Sequence, residues 1–200
     1  SLSVEEQYYI LFPIGLVTVF KYFRKQLIYF LVICFVISLL LADWGSRNYI
    51  SATFYFLHSR IWELIIGSLV AYFEIKKGHR GQDKILCHVL PVLGLILIGY
   101  SFISFDNETF HPSFYTLTPA IGTTLILWFS HKENIISKIL SYKIFVKIGL
   151  ISYSLYLWHY PIFSFANHLE IFFNKNLEKF FLITITFILS AFTYYFIEQP

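Results

Sequence analysis

Charge is what this chain has least of. Only 14% of its 200 residues are Asp, Glu, Lys or Arg, against about 25% in an ordinary soluble domain. With 57% hydrophobic and 21% aromatic residues, that scarcity excludes a soluble globular domain and implies an integral membrane protein. Cysteine is nearly absent too. Cys34 and Cys87 sit in hydrophobic stretches without metal-type spacing, so they read as small apolar residues with no disulfide role. The chain has no His-Glu-x-x-His, no Walker-type glycine loop and no cysteine-pair signature, so no metal site is expected. Internal repeats, low-complexity linkers and a signal-peptide pattern are likewise missing. The net charge of +3 is small and its cations gather in short segments beside apolar runs, a pattern of membrane orientation and not of nucleic-acid binding.

What is abundant is long apolar sequence. Seven spanning segments are expected, Tyr8–Phe23, Leu27–Ala42, Arg60–Glu74, Ile85–Phe102, Tyr115–Phe129, Gly149–Ala166 and Phe180–Ile197. Several fall short of the ~20 residues a span normally needs, so flanking polar residues must enter the interface. The fold class read from this is all-α, a polytopic transmembrane helix bundle forming one domain over 1–200. Lys21, Arg24 and Lys25, then Lys76, Lys77, Arg80 and Lys84, then Lys132, Lys138, Lys143 and Lys147 mark three loops as cytoplasmic by the positive-inside rule. Asp43–Ser59, Ser104–Pro112 and Asn167–Lys179 face the other side, so the chain starts outside and ends inside. The fifteen tyrosines and four tryptophans suit interfacial belts, and only clustered ones call for a function. Ser1 stands where an initiator methionine would, and Ser-Leu-Ser-Val-Glu-Glu-Gln-Tyr-Tyr reads as the interior of a longer protein.

Polar groups at membrane depth are costly, which makes Ser152–Phe163 the segment to examine first. On a helix, Ser152, Tyr156, His159 and Phe163 form one stripe, expected to face other helices and not lipid. Pro161 has no backbone N–H, so the carbonyl of Leu157 loses its helical donor beside His159. A pocket wall and a helix contact held by Tyr and His hydrogen bonds both fit this pattern. Glu5 and Glu6 precede the first expected span, where carboxylates suit a helix start and could also orient a histidine or take a proton from a sugar hydroxyl. Arg60 and Glu63 are three apart and can pair, with Tyr55, His58 and Trp62 at the same level. A guanidinium there could grip a phosphate or carboxylate through two N–H groups. His79 and His111 read as solvated loop residues, and His88 and His168 as interfacial ones.

Three patterns occur in order: Ser1-Leu-Ser-Val-Glu-Glu-Gln-Tyr-Tyr-Ile-Leu-Phe-Pro13, Arg60-Ile-Trp-Glu-Leu-Ile-Ile-Gly67 and Ile151-Ser-Tyr-Ser-Leu-Tyr-Leu-Trp-His-Tyr-Pro161, with Ile197-Glu-Gln-Pro200 at the end. Together they resemble the acyltransferase family 3 membrane domain of bacterial O-acetyltransferases that modify surface and secreted glycans. The resemblance implies a ten-helix domain of which this chain holds the last seven, in a bacterial cytoplasmic (inner) membrane. It implies transfer of an acyl group, usually acetyl, from acyl-CoA as donor substrate to a carbohydrate hydroxyl, with no permanently bound cofactor. The acceptor would be a polysaccharide such as lipopolysaccharide O-antigen, capsule or exopolysaccharide, and the partners membrane lipid, acyl-CoA and that carbohydrate, with no nucleic acid. The family's expected catalytic histidine would lie in helices ahead of Ser1. On the matching positions Glu5, Glu6 and His159 take supporting catalytic roles, and Arg60, Glu63, Ser152, Tyr153 and Tyr156 line the substrate cavity. The inner lysines, which the topology already explains, would add positive charge on the side of the acyl-CoA phosphates. A transporter or flippase-like protein, and an inactive remnant of an acyltransferase, are the alternatives.

Overall fold

The structure is a computed structural model that describes the chain apart from residues 1, 50–52, 54, 79, 82, 107–110, 132–133, 169–174 and 200, and apart from the side chains of 2, 3, 84, 175, 176 and 178. His79, Lys132 and the middles of the three expected outer loops therefore lie outside the described residues. Every described element is helical. The chain divides into two compact units, Ser1–Ile136 and Ser137–Pro200.

The first unit begins with α1, Leu2–Phe23, and α2, Leu27–Asn48, joined by the tight turn Arg24–Gln26. Phe12 and Val19 of α1 pack on Leu27 and Leu31 of α2 and on Ile65 of α3, Leu57–Lys77, so the first two helices fold back on each other. A second buried cluster, Leu39, Ala42 and Trp62, joins α2 to α3 and meets Leu117 and Ala120 of α5, Leu117–Phe129. Gly78 ends α3 with φ 73°, a left-handed conformation that glycine adopts without a Cβ clash, and its N–H caps the Glu74 carbonyl. The remaining helix, α4, spans Lys84–Ser104 and crosses α5 where Gly94 meets Gly122. Asn134 fastens the exit of α5 by donating to the carbonyls of Cys87 (2.5 Å) and Phe129 (3.0 Å). Both cysteines are free thiols, Cys87 buried and Cys34 half-buried.

The helix α6, Ile135–Leu140, straddles the division between the units. Beyond it lie α7, Lys143–Leu150, α8, Ser152–His168, and α9, Lys175–Thr193, which runs into a π-helical turn at Tyr194–Glu198.

Three stretches are long and apolar enough to cross a membrane, Val4–Asn48, Ile85–Ser104 and Lys179–Glu198, and Phe114–Phe129 is apolar but shorter. Val4–Asn48 holds both α1 and α2, so these stretches cover five of the seven expected segments. Arg60–Glu74 and Gly149–Ala166 do not meet the measure. The first lies in α3, long enough at 21 residues but carrying Arg60, Glu63, Glu74, Lys76 and Lys77. The second is not one helix: Gly149 and Leu150 belong to α7, Ile151 is a turn, and α8 is 17 residues long. The expected loop Lys132–Lys147 also changes character, since it holds α6 and the start of α7. Glu5 and Glu6 stand inside α1 and not ahead of it, because helix continues back to Leu2.

Candidate functional site

In the first unit the Arg60 region is braced by serines that bond to backbone groups around the start of α3. Ser38 of α2 donates to the His58 carbonyl at 2.7 Å and accepts the Trp62 N–H at 3.2 Å, so one hydroxyl braces both members of an i, i+4 backbone pair in the first turns of α3. Ser59, fully buried, has its one hydroxyl proton within reach of two acceptors, the carbonyls of Thr53 (2.5 Å) and Phe56 (2.8 Å). Trp62 has no exposed surface and meets Phe35 edge-on at 6.2 Å. With its neighbours anchored, Arg60 donates from Nη2 to Glu63 Oε2 at 3.1 Å, and the two side chains are 21% and 32% exposed. The pair is thus half-screened from water, with one guanidinium edge spent on Glu63. His58 stacks on Phe56 at 5.5 Å, while Tyr55 is exposed.

Glu5 and Glu6 are exposed on α1, next in sequence to buried Val4 and before buried Tyr8. The ion pairs among the described residues are Arg47–Asp43, Arg60–Glu63 and Arg80–Glu74, none of which includes them. Tyr8 instead reaches α3, its hydroxyl 2.9 Å from Ser68 Oγ, and its ring stacks on Phe12 at 4.5 Å.

In the second unit the face of α8 that packs on α9 and the turn after it is defined by Ser154 and Trp158. Ser154, fully buried, donates to Glu198 Oε1, and Trp158 Nε1 donates to Thr193 Oγ1 at 2.8 Å. The stripe expected to be buried therefore sits part-way round the helix from the packed face, since each residue turns the helix by ~100°. Tyr156 and His159 are exposed rather than sealed between helices. With Phe163 they form one wall of an open groove of about 330 Å³ whose other wall is Ile183, Thr186 and Phe187 of α9. Ser152 and Tyr153 do not line it: Ser152 donates to the Gly149 carbonyl at 2.7 Å, and Tyr153 is 48% exposed.

The imidazole geometry decides what His159 can do. Its Nδ1 lies 3.3 Å from the Leu155 carbonyl, not beside the carbonyl that Pro161 leaves without a donor. A carbonyl can only accept, so this contact is a hydrogen bond in the tautomer with the proton on Nδ1, and in that neutral tautomer Nε2 carries the lone pair that could accept a hydroxyl proton. The Tyr156 ring is 5.5 Å from the imidazole and holds it from one side. A hydroxyl-bearing substrate in the groove would meet one acceptor nitrogen against apolar walls.

Glu198, Ser154, Trp158 and Thr193 are the members that site reasoning from sequence passed over, although three lie in the quoted motifs. Their signal was the spacing of Ser154 and Trp158, one helical turn apart. The π-helical turn adds a residue per turn to the end of α9, a device common at functional positions, and Glu198 sits at its end. Replacing Ser154 by alanine removes a buried donor from a carboxyl group, so a loss of about 1–2 kcal/mol is expected. Thermal unfolding of the detergent-purified protein should show a lower midpoint for Ser154→Ala and a near-normal one for Glu198→Gln, which keeps the acceptor oxygen.

Comparison with known proteins now bears on this arrangement. The family model described as the acyltransferase domain matches residues 1–196. The chain belongs to that acyltransferase family. Peptidoglycan O-acetyltransferase OatA of Listeria monocytogenes EGD-e is 28% identical over 214 residues, covering 100% of this chain and 34% of that protein. O-acetyltransferase OatA of Staphylococcus aureus NCTC 8325 is 28% identical over 212 residues, covering 100% of this chain and 35% of that protein. The provisionally named O-acetyltransferase SACOL0978 of Staphylococcus aureus strain COL gives the same figures of 28%, 212 residues, 100% and 35%. This acyltransferase chain thus spans about a third of the length of the curated relatives it matches. No solved structure matches it.

Proposed function

We propose that this chain is part of a bacterial membrane O-acetyltransferase that moves an acetyl group from acyl-CoA to a hydroxyl of a cell-envelope glycan. The observation that carries the reading is the family match over residues 1–196, which covers both the Arg60–Glu63 pair and the His159 groove. The name of one relative specifies peptidoglycan, which favours an envelope glycan of that kind over lipopolysaccharide as the acceptor.

The chemistry fits the side chains present. Acyl transfer needs a base for the attacking hydroxyl and donors for the thioester carbonyl as it becomes an oxyanion. His159 with its proton on Nδ1 offers Nε2 to a hydroxyl, and Arg60, held by Glu63, offers a fixed guanidinium to an anionic or carbonyl group. Acyl-CoA is a cytoplasmic substrate. At 1.5 Å per residue the 21 residues of α3 extend ~31 Å, about a bilayer core, with Arg60 near its start and the lysines at its end ~25 Å apart along the axis. The Arg60 end is then the outer one, so the acyl group has to travel between the leaflets while the CoA phosphates stay on the lysine side.

Arg60→Ala in the whole protein tests this directly. Acetyl ester on the envelope glycan should fall roughly tenfold or more at unchanged membrane protein level, with Arg60→Lys intermediate because an ammonium cannot reproduce the fork. Normal ester in Arg60→Ala would remove the pair from the reaction, and loss of glycan export in place of ester would favour transport.

A further inference from the structure

A second cavity lies wholly in the first unit, between α1, α2 and α3, with a volume of about 510 Å³. Its α1 wall is a ladder of Phe12, Leu16 and Phe20, one turn apart, ending in Arg24. Its α3 wall repeats the arrangement with Ser68 and Tyr72, ending in Lys76, and Leu31 of α2 closes the back. Both cations are thus at one end of an otherwise aromatic and aliphatic trough. The Arg24 guanidinium lies over the Phe20 ring at 4.8 Å and the Lys76 ammonium 5.9 Å from the Tyr72 ring. Neither belongs to an ion pair among the described residues, whereas neighbouring Glu74 is engaged by Arg80 at 2.9 Å. The mouth therefore carries two positive charges, and Glu74, the carboxylate closest to Lys76 in sequence, is paired with Arg80.

We infer that this trough seats one anionic glycerophospholipid from the leaflet on the side of the basic segments, with its phosphate between Arg24 and Lys76 and one acyl chain along Leu16 toward Ser68. Length supports the assignment: Phe12 to Arg24 is ~18 Å along the helix axis, close to the ~15 Å of one hydrocarbon leaflet. So does polarity. Acetyl-CoA would bring a pantetheine arm with two amides, and the lining away from the mouth offers them little beyond Ser68 Oγ, which already bonds Tyr8. Amides buried there would lack partners, while a hydrocarbon chain loses nothing. Two cations near an anionic head group also match the way basic residues select lipids at the membrane surface. This site stands independently of the acyl-transfer reading.

The test is native mass spectrometry of the whole protein released from nanodiscs of equal phosphatidylglycerol and phosphatidylethanolamine. Wild type should retain phosphatidylglycerol in preference, and Arg24→Ala with Lys76→Ala should reduce that preference roughly tenfold or more. Leu16→Trp, which fills the trough and leaves the charges, should remove the retained lipid altogether. Unchanged lipid retention in either variant overturns the proposal. So does displacement of phosphatidylglycerol by added acetyl-CoA, which would make the trough a donor site.

Discussion

Replacing His159 by alanine lowers glycan acetylation by on the order of 10²-fold, the effect of losing one positioned acceptor or donor at a reacting centre. The expectation follows from the groove and not from the mere presence of a histidine. His159 is exposed to the groove, its Nδ1 lies 3.3 Å from the Leu155 carbonyl, and Tyr156 flanks the ring. Only Nε2 is left to act. Its two conservative variants separate chemistry from packing. Asparagine can imitate a hydrogen bond near Nδ1 and has no base at the Nε2 position, so it should be as inactive as alanine. Glutamine places an amide near Nε2 and should recover part of the rate if His159 serves as a donor, and none if it serves as a base. Ester content per glycan, measured at matched membrane protein level, is the readout. Wild-type ester in His159→Ala would take the groove out of the mechanism.

The second large effect is structural. At the crossing of α4 and α5, a Cβ on Gly94 would stand 2.5 Å from the Gly122 carbonyl oxygen, and one on Gly122 would stand 2.6 Å from the Gly94 carbonyl oxygen. Each clash is with backbone, so no side chain can swing away to relieve it. Small residues at a membrane helix crossing allow such close approach, and packing at that distance is what holds helices together where lipid offers no hydrophobic drive. Gly122→Val or Gly94→Val should therefore cost about 3 kcal/mol, the upper end of overpacking effects. Folded protein recovered in detergent should fall sharply in both. Gly99, with open space at its Cβ position, is the matched control, and Gly99→Ala should purify and melt as wild type does.

How much of this was legible in the sequence depends on which force set each feature. The apolar runs that became α1, α2, α4, α5 and α9 are composition effects, and composition is what a sequence displays directly. The end points are less so. α2 continues six residues past Ala42 through Asp43-Trp-Gly-Ser-Arg-Asn because Asp43 and Arg47 pair one turn apart and Ser46 bonds back to the Asp43 carbonyl, so polar sequence there is still helix. The break at Ile151 and the folding of Lys143–Leu150 as its own helix have no proline to announce them, only Gly149 and Ser152, whose hydroxyl bonds the Gly149 carbonyl, inside an otherwise apolar run. For the site, helical spacing did bring Tyr156, His159 and Phe163 to one wall, but it could not say which flank of α8 packs on α9. That was decided by Ser154 and Trp158 finding Glu198 and Thr193, at sequence separations of 44 and 35 residues. The π-helical turn that places Glu198 is a matter of one inserted residue, which no periodicity in Tyr194–Glu198 discloses. The Arg60–Glu63 pair was readable because it is local, three residues apart on one helix.

The most direct measurement of the proposed activity is transfer of labelled acetyl from acetyl-CoA in membrane vesicles that contain the whole protein and its envelope glycan. Alkali-labile label should accumulate in the glycan with wild-type protein and fall to near background with His159→Ala. Label that stays in acetyl-CoA with wild-type protein, while the glycan still crosses the membrane in a protein-dependent way, would contradict acyl transfer and make this a transport protein.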